Sequence, residues 1–400
     1  MRHRISIIGG GVIGCAIAYT LSGNPIFEIS VIEKNFEIPG INQSSRNAGV
    51  IHAGIYYSKN EEPLKSKMCV EGNKLLYDFC QREHVPYKKT GKLIVATNAN
   101  EKEYLDYFYN NAVSNGVPDI TKISIDEIQK LEPNISAISA IYVPTSGIVD
   151  VDKLVIKLKT LSEKRGVQFI TSTEVIGIRS NNQGFLLKMI CNNATISSAA
   201  DIVINSAGLY SDEIAKMINK DSRFEIVPTR GEFAEYTNLY PLKITRNIYQ
   251  APYGYYKSTG EKADVKLDEY LKLLDSGLLL RTVGVHITPT LEPTNLSIGR
   301  ISIVGPLKTV KVAKTDYSQG LKSPKQYLEK INNFLLQINQ KDLRLHYSGI
   351  MAVEKNNTDF IIDKDKNFSS FINLIGIDSP GMTACLAIAN NVDQIVQKVI

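Results

Sequence analysis

The feature that most constrains this chain is a glycine pattern near its start. Gly9, Gly11 and Gly14 form G-x-G-x-x-G between an apolar run, Arg4 to Ile8, and a helical segment, Val12 to Ser22, that stops near Gly23 and Pro25. A second apolar run, Phe27 to Glu33, follows. Strand, glycine turn, helix, strand is the opening of a Rossmann-type unit. The glycines have separate steric reasons. Gly9 permits the tight turn, Gly11 lets the backbone approach a pyrophosphate, and Gly14 lets helix and strand pack closely. Val12 and Ile13 start the helix, so its free N–H groups and positive dipole end face the phosphates. Glu33 ends the second strand, where a carboxylate accepts both hydroxyls of an adenosine ribose, and Lys34 follows it.

The rest of the chain alternates in a way that predicts an α/β fold with two interleaved domains, as 400 residues exceed one typical core. Helical spacing covers 65–83, 101–115 and 151–165, with strands at 92–97 and 167–170. The string ADIVINSAGLYSDEIAKMI from Ala200 is again strand, small-residue turn and helix. Residues 227–312 read as strands and loops. The end returns to strand (Phe371 to Ile375) and long helix (Gly381 to Val399). A discontinuous dinucleotide-binding domain (1–90, 145–225, 345–400) with a β-sheet-rich substrate domain (91–144, 226–344) is therefore expected. Within the second, Tyr253 to Ser276 is rich in Tyr, Lys and Asp and reads as a solvated surface insertion. In it, Leu267, Leu271 and Leu274 form a thin apolar face, Asp264 is a candidate cap and Gly277 a stop.

Composition narrows the class. Lys plus Arg number 46 against 41 Asp plus Glu, a formal +5. That excess does not call for nucleic acid and suits an acidic metabolite. Five cysteines, odd in number and without a C-x-x-C pair, argue against disulfides or zinc and for a reducing compartment. No metal site is expected. There is no signal-peptide pattern and no run of 18 apolar residues, so a cytoplasmic location is expected, with peripheral contact on the inner membrane face left open.

The loop after the second strand separates flavin from nicotinamide. It reads SSRNAGVIHAGIYY, Ser44 to Tyr57. With PLKSKMCVEGN, TGKLIVA, GIVDVDKL, INSAGLYSD, PTRGEF, GVHITP and INLIGIDSPGMT, it resembles the L-2-hydroxyglutarate dehydrogenase/oxidase group of the D-amino-acid-oxidase-like FAD-dependent superfamily, from about residue 4 to the C-terminus apart from the insertion. The resemblance implies non-covalent FAD. It places Ser44, Ser45, Arg46, Asn47 and Ala48 along the pyrophosphate and flavin, Val175 on the adenine side, and Ala207 and Gly208 over the dinucleotide. Gly381, Met382 and Thr383 open the last helix, whose N–H groups would face the flavin's pyrimidine edge and stabilise charge that develops there.

Oxidising an alcohol needs a base for the hydroxyl proton and a hydride acceptor. Of five histidines, His52 and His286 lie in the family-like strings. His286, on a strand with Gly284 and Thr288 as alternate neighbours, is the expected proton acceptor, and His52 the flavin-side or orienting residue. Arg46, Arg230 and Tyr57 are the candidate substrate contacts, since a guanidinium pairs bidentately with a carboxylate. An ion pair within the sheet is the alternative for Arg230, and Arg281 is disfavoured by its spacing from His286. Relatives of the group tend to carry an Arg where SGIMAV has Met351, and GPLK at Gly305 also departs from their pattern. The expected activity is oxidation of a small 2-hydroxy acid, with oxygen or a quinone as electron acceptor. The alternatives are another substrate, such as glycerol 3-phosphate or an amino acid, and a flavin-binding protein without turnover.

Overall fold

The protein is described by a computed structural model covering residues 2–181, 183–237, 243–292 and 295–400. The glycine unit forms as expected. His3–Ile8 and Phe27–Ile32 pair in parallel through the helix Val12–Leu21. They sit inside a six-stranded sheet ordered Ile361–Lys364, Phe371–Ile375, Ile202–Asn205, His3–Ile8, Phe27–Ile32, Gln168–Ile170. All neighbours are parallel except the first pair. Such a sheet needs cover on both faces, which is why its strands are near-continuous apolar runs. Helices Val12–Leu21, Pro63–Glu83, Val151–Glu163 and Gly381–Val396 build the core of one face. The meander Thr173–Asn181, Gly184–Cys191, Ala194–Ala200 and the helix Ser211–Ile218 cover the other. Gly72 is required here: a Cβ would meet the Thr383 carbonyl, so glycine lets the second helix approach the start of the last one.

An eight-stranded mixed sheet holds the remaining chemistry. Its order is Leu343–Glu354, Ile226–Thr237, Ile298–Val310, His286–Leu291, Asn247–Gln250, Lys92–Ala96, Ser139–Val143, Thr121–Ile123. The pairing is antiparallel except between Asn247–Gln250 and Lys92–Ala96. Because Leu343–Glu354 belongs to this sheet, the expected boundary at 345 falls inside a strand. Among the described residues, no helix is long and apolar enough to cross a membrane.

The segment read as a solvated insertion differs from that expectation. Tyr253–Tyr256 and Leu279–Thr282 form a two-stranded sheet that brackets a helix, Leu267–Asp275. Tyr270, Ala263 and Leu279 are buried, and the Tyr270 ring stacks on Tyr104 of the helix Ala99–Asn115 at 4.5 Å. The helix N-cap is Lys266 rather than Asp264. Leu267, Leu271 and Leu274 do pack on this cluster, but its buried centre is the Tyr270–Tyr104 pair with Ala263 and Leu279.

Candidate functional site

One large cleft, with an empty volume of about 1400 Å³, runs between the two sheets. The glycine turn makes one end. Gly9 has φ +104°, and a Cβ on Gly14 would overlap the Gly9 carbonyl, so both glycines shape the turn from beneath without lining the cleft. Gly11, Val12 and Ile13 line it, and Ser44 Oγ accepts the Val12 N–H at 2.8 Å. Glu33 is buried beside the turn and accepts the N–H groups of Gly10 (2.7 Å) and Asn35 (2.8 Å).

The loop after the second strand is ordered from within. The Asn47 amide donates to the carbonyls of Gln43 and Ser44, and its oxygen accepts the Gly49 N–H. Ser44, Arg46, Asn47 and Ala48 line the cleft, as do Gly208 and the last helix's Gly381, Met382 and Thr383. That helix begins with the Ala384 N–H bonded to the Pro380 carbonyl, so the amides of Met382 and Thr383 have no partner within the helix, while the Gly381 N–H donates to the Asp378 carbonyl at 2.6 Å. Thr383 Oγ1 accepts the His52 N–H at 3.0 Å and donates to the Val50 carbonyl.

Several expected contacts are elsewhere. Ser45 donates to the Gly40 carbonyl inside its own loop. The Lys34 ammonium sits over the Tyr210 ring, 3.1 Å from its centroid. Val175 is buried in the core among residues such as Ile8 and Ile32. Neither these three nor Ala207 lines the cleft. Tyr57 is buried beside it, with its hydroxyl bonded to Ser379. Arg230 is 1% exposed and fully engaged. It donates to Glu232 (3.0 and 3.2 Å), to Asp316 (2.8 Å) and to the Gln319 carbonyl (2.6 Å). It is a sheet staple, not a substrate contact: a strand residue that lies off the cleft pairs with the buried Glu232 and the partly exposed Asp316. Arg281 is likewise paired, with Glu62 at 2.6 Å.

Both motif histidines line the cleft. His286 is 7% exposed and stacks on Tyr249 at 4.0 Å and 8°. His52 Nε2 lies 3.4 Å from Ser379 Oγ. The Nδ1 atom of each ring is buried without a hydrogen-bond partner. Burial pushes both imidazoles below their usual range, His286 to about 3, with Lys92 contributing repulsion to each. Both are therefore neutral near pH 7.

Sequence reasoning missed two lysines. Lys308 comes from the departing string GPLK and lines the cleft with Met351. The residue is exposed, yet surrounding protein pushes its ammonium below the usual range, opposed by Asp378. Lys308, Gly231 and Gly349 are register partners across three strands, and the two glycines let neighbours come close: a Cβ on Gly231 would press on the Pro306 ring. A Cβ on Gly349 would run into the Arg46 carbonyl, so Arg46 stands at the far end of that row. Lys92 is buried behind the histidines. A lysine opening the apolar run KLIVA was the only signal for it.

The cleft therefore offers amides at two helix starts, bare glycine at the turn, two cations and two neutral histidines. Those groups fit a flavin dinucleotide laid between the helix starts, with a small anion beside it.

The comparisons agree. The family model described as "FAD dependent oxidoreductase" (DAO) matches residues 4–394. The chain is 31% identical over 404 residues to a mitochondrial L-2-hydroxyglutarate dehydrogenase of Caenorhabditis elegans, covering 97% of this chain and 92% of that protein. It is 28% identical over 408 residues to a glycerol 3-phosphate dehydrogenase of Caloramator mitchellensis, covering 99% and 74%. Among solved structures, the FAD-bound, dithionite-reduced L-α-glycerophosphate oxidase of Mycoplasma pneumoniae superposes with a TM-score of 0.82 at 26% identity, over 99% of this chain and 95% of that one. With a match from residue 4 to residue 394, the chain belongs to the DAO family of FAD-dependent oxidoreductases.

Proposed function

We propose that this oxidoreductase acts on a small 2-hydroxy acid, with L-2-hydroxyglutarate, oxidised to 2-oxoglutarate, as the leading substrate. The observation that carries the reading is the pair of neutral histidines in a cleft that also holds Arg46 and Lys308. Gly11, Val12, Ile13, Ser44, Asn47 and Ala48 would hold the dinucleotide, and the amides of Met382 and Thr383 the ring end. When bound, FAD supplies the acceptor for the hydride leaving the substrate carbon. The protein's own work is to remove the hydroxyl proton and fix the acid. His286 is the proposed proton acceptor, and His52, tied to Thr383 and Ser379, orients the reacting end. The reverse assignment is supported by the same Ser379 contact, since an oriented ring is the better-placed base.

Arg46 and Lys308 stand at the two ends of the Gly349–Gly231 row and would take the substrate's acidic groups. Lys308 shares a sheet face with Met351, two residues along the paired strands, and so supplies a cation where relatives tend to have arginine. A lysine there also supports a second reading, glycerol 3-phosphate, because an ammonium meets a phosphate well as a point charge. Anaerobic mixing of FAD-loaded protein with L-2-hydroxyglutarate, glycerol 3-phosphate and amino acids tests both. Bleaching of the visible flavin band by L-2-hydroxyglutarate is expected. Bleaching by glycerol 3-phosphate alone favours the second reading, and none with any substrate defeats both.

A further inference from the structure

Behind the two histidines lies a buried polar cluster. Tyr249 is on the strand Asn247–Gln250, with the His286 strand on one side and the Lys92 strand on the other. Its ring stacks on His286 at 4.0 Å, and the Lys92 ammonium lies 4.0 Å from the same ring's centroid. Lys92 is 1% exposed. Among the described residues it has no carboxylate within ion-pair distance; its contacts are the faces of Tyr249 and Tyr56. The titratable groups that face it are Tyr249, Tyr56 from the loop, Cys69 from the helix Pro63–Glu83, and the two histidines. None is an acid near neutral pH. The hydroxyls of Tyr56 and Tyr249 and both histidine Nδ1 atoms are buried and unpaired.

A buried site without a counter-ion tolerates one positive charge far better than two. We propose that the cluster carries one cation at a time, and that Lys92 is a positioning residue whose loss of its proton frees the histidines to take the substrate's. This rests on the proposed role of a histidine as proton acceptor, but not on which one serves. In the reaction the substrate's O–H bond breaks, its proton passes to an imidazole, and that ring becomes cationic. If Lys92 still holds its own proton, the new charge forms against it. If Lys92 has released that proton to solvent, it does not. Burial pushes the Lys92 ammonium down to about 7, so the choice is made within the physiological range.

Two measurements test this. Isotope-labelled lysine NMR on the FAD-loaded protein, without substrate, should show one side chain titrating near 7 that vanishes in Lys92→Met. Anaerobic flavin reduction at saturating substrate should rise on the order of 10- to 30-fold as pH passes upward through that value, the size expected for two charges on either side of one ring at an intermediate dielectric. Lys92→Met should hold the high-pH rate throughout, and Lys92→Arg the low-pH rate throughout. An unchanged acid limb in Lys92→Met, or a full high-pH rate in Lys92→Arg, overturns the proposal. So does the absence of any low-titrating lysine in the wild-type spectrum, which needs no variant to fold. Failure of the histidine reading is separate: it leaves the lysine titration in place while histidine variants reduce at the wild-type rate.

Discussion

Replacing Arg230 by Met separates a sheet staple from a substrate contact. The guanidinium makes two bonds to Glu232, two to Asp316 (carboxylate and carbonyl) and one to the Gln319 carbonyl. Glu232 is 1% exposed, and without Arg230 it keeps, among the described residues, only the Thr309 hydroxyl and the Lys322 N–H as donors. Asp316 is less buried and can turn to water. The dominant cost is thus one buried carboxylate left without its cation, about 3–5 kcal/mol. Urea unfolding of FAD-loaded Arg230→Met should show that loss as a lower midpoint with an unchanged slope. The double variant Arg230→Met, Glu232→Leu should recover most of it, because a well-packed apolar pair replaces a buried ion pair at little net cost. KM for the substrate should be unchanged in both. A wild-type midpoint with KM raised tenfold or more would refute the reasoning and return Arg230 to the substrate.

Three further outcomes follow from the same geometry. Gly11→Val should fold yet lose FAD on gel filtration, because the added atoms point at the dinucleotide and meet little protein beyond Ser44 Oγ, whereas Gly14→Ala should be destabilised by about 1–3 kcal/mol because its Cβ overlaps the Gly9 carbonyl. Tyr270→Ala should cost about 3–5 kcal/mol in urea unfolding, and a protein that ignores it would restore the solvated-insertion picture. Lys92 makes stability pH-dependent. Its folded value of about 7 is below its free value of 10.5, so the unfolded chain binds the extra proton between them and stability rises with pH across that window. Lys92→Met should remove that slope and gain up to about 5 kcal/mol at pH 6, as read by urea midpoints at pH 6 and 10.

The dinucleotide end of the fold was legible because each of its signals is local. Glycine spacing, a strand on either side and a carboxylate at the strand end all lie within residues 4–33. The strand Phe371–Ile375 and the helix starting at Gly381 were read in place for the same reason. What stayed hidden depends on contacts between distant residues. Nothing near Arg230 in sequence reveals Asp316 or Gln319. The charged residues of 253–276 mask a buried interior because Tyr104, the ring that Tyr270 meets, is more than a hundred residues away. The three-stranded meander Thr173–Ala200 was reduced to the single contact expected of Val175, whose side chain turns into the core. Both histidines singled out in their strings line the cleft. Their company was not, since Lys92 and Lys308 join the site only through strand register.

Single-turnover flavin reduction in histidine variants tests the central claim most directly. FAD-loaded His286→Gln and His52→Gln would be mixed anaerobically with the substrate that bleaches the wild type. Glutamine keeps size and polarity but cannot take up a proton. His286→Gln should retain its FAD and slow reduction by roughly 10²–10⁴-fold, while His52→Gln should disturb the flavin spectrum or affinity as well as the rate. Slowing confined to His52→Gln would exchange the two roles. Reduction at the wild-type rate in both variants would contradict the account, because no histidine in the cleft would then be the proton acceptor.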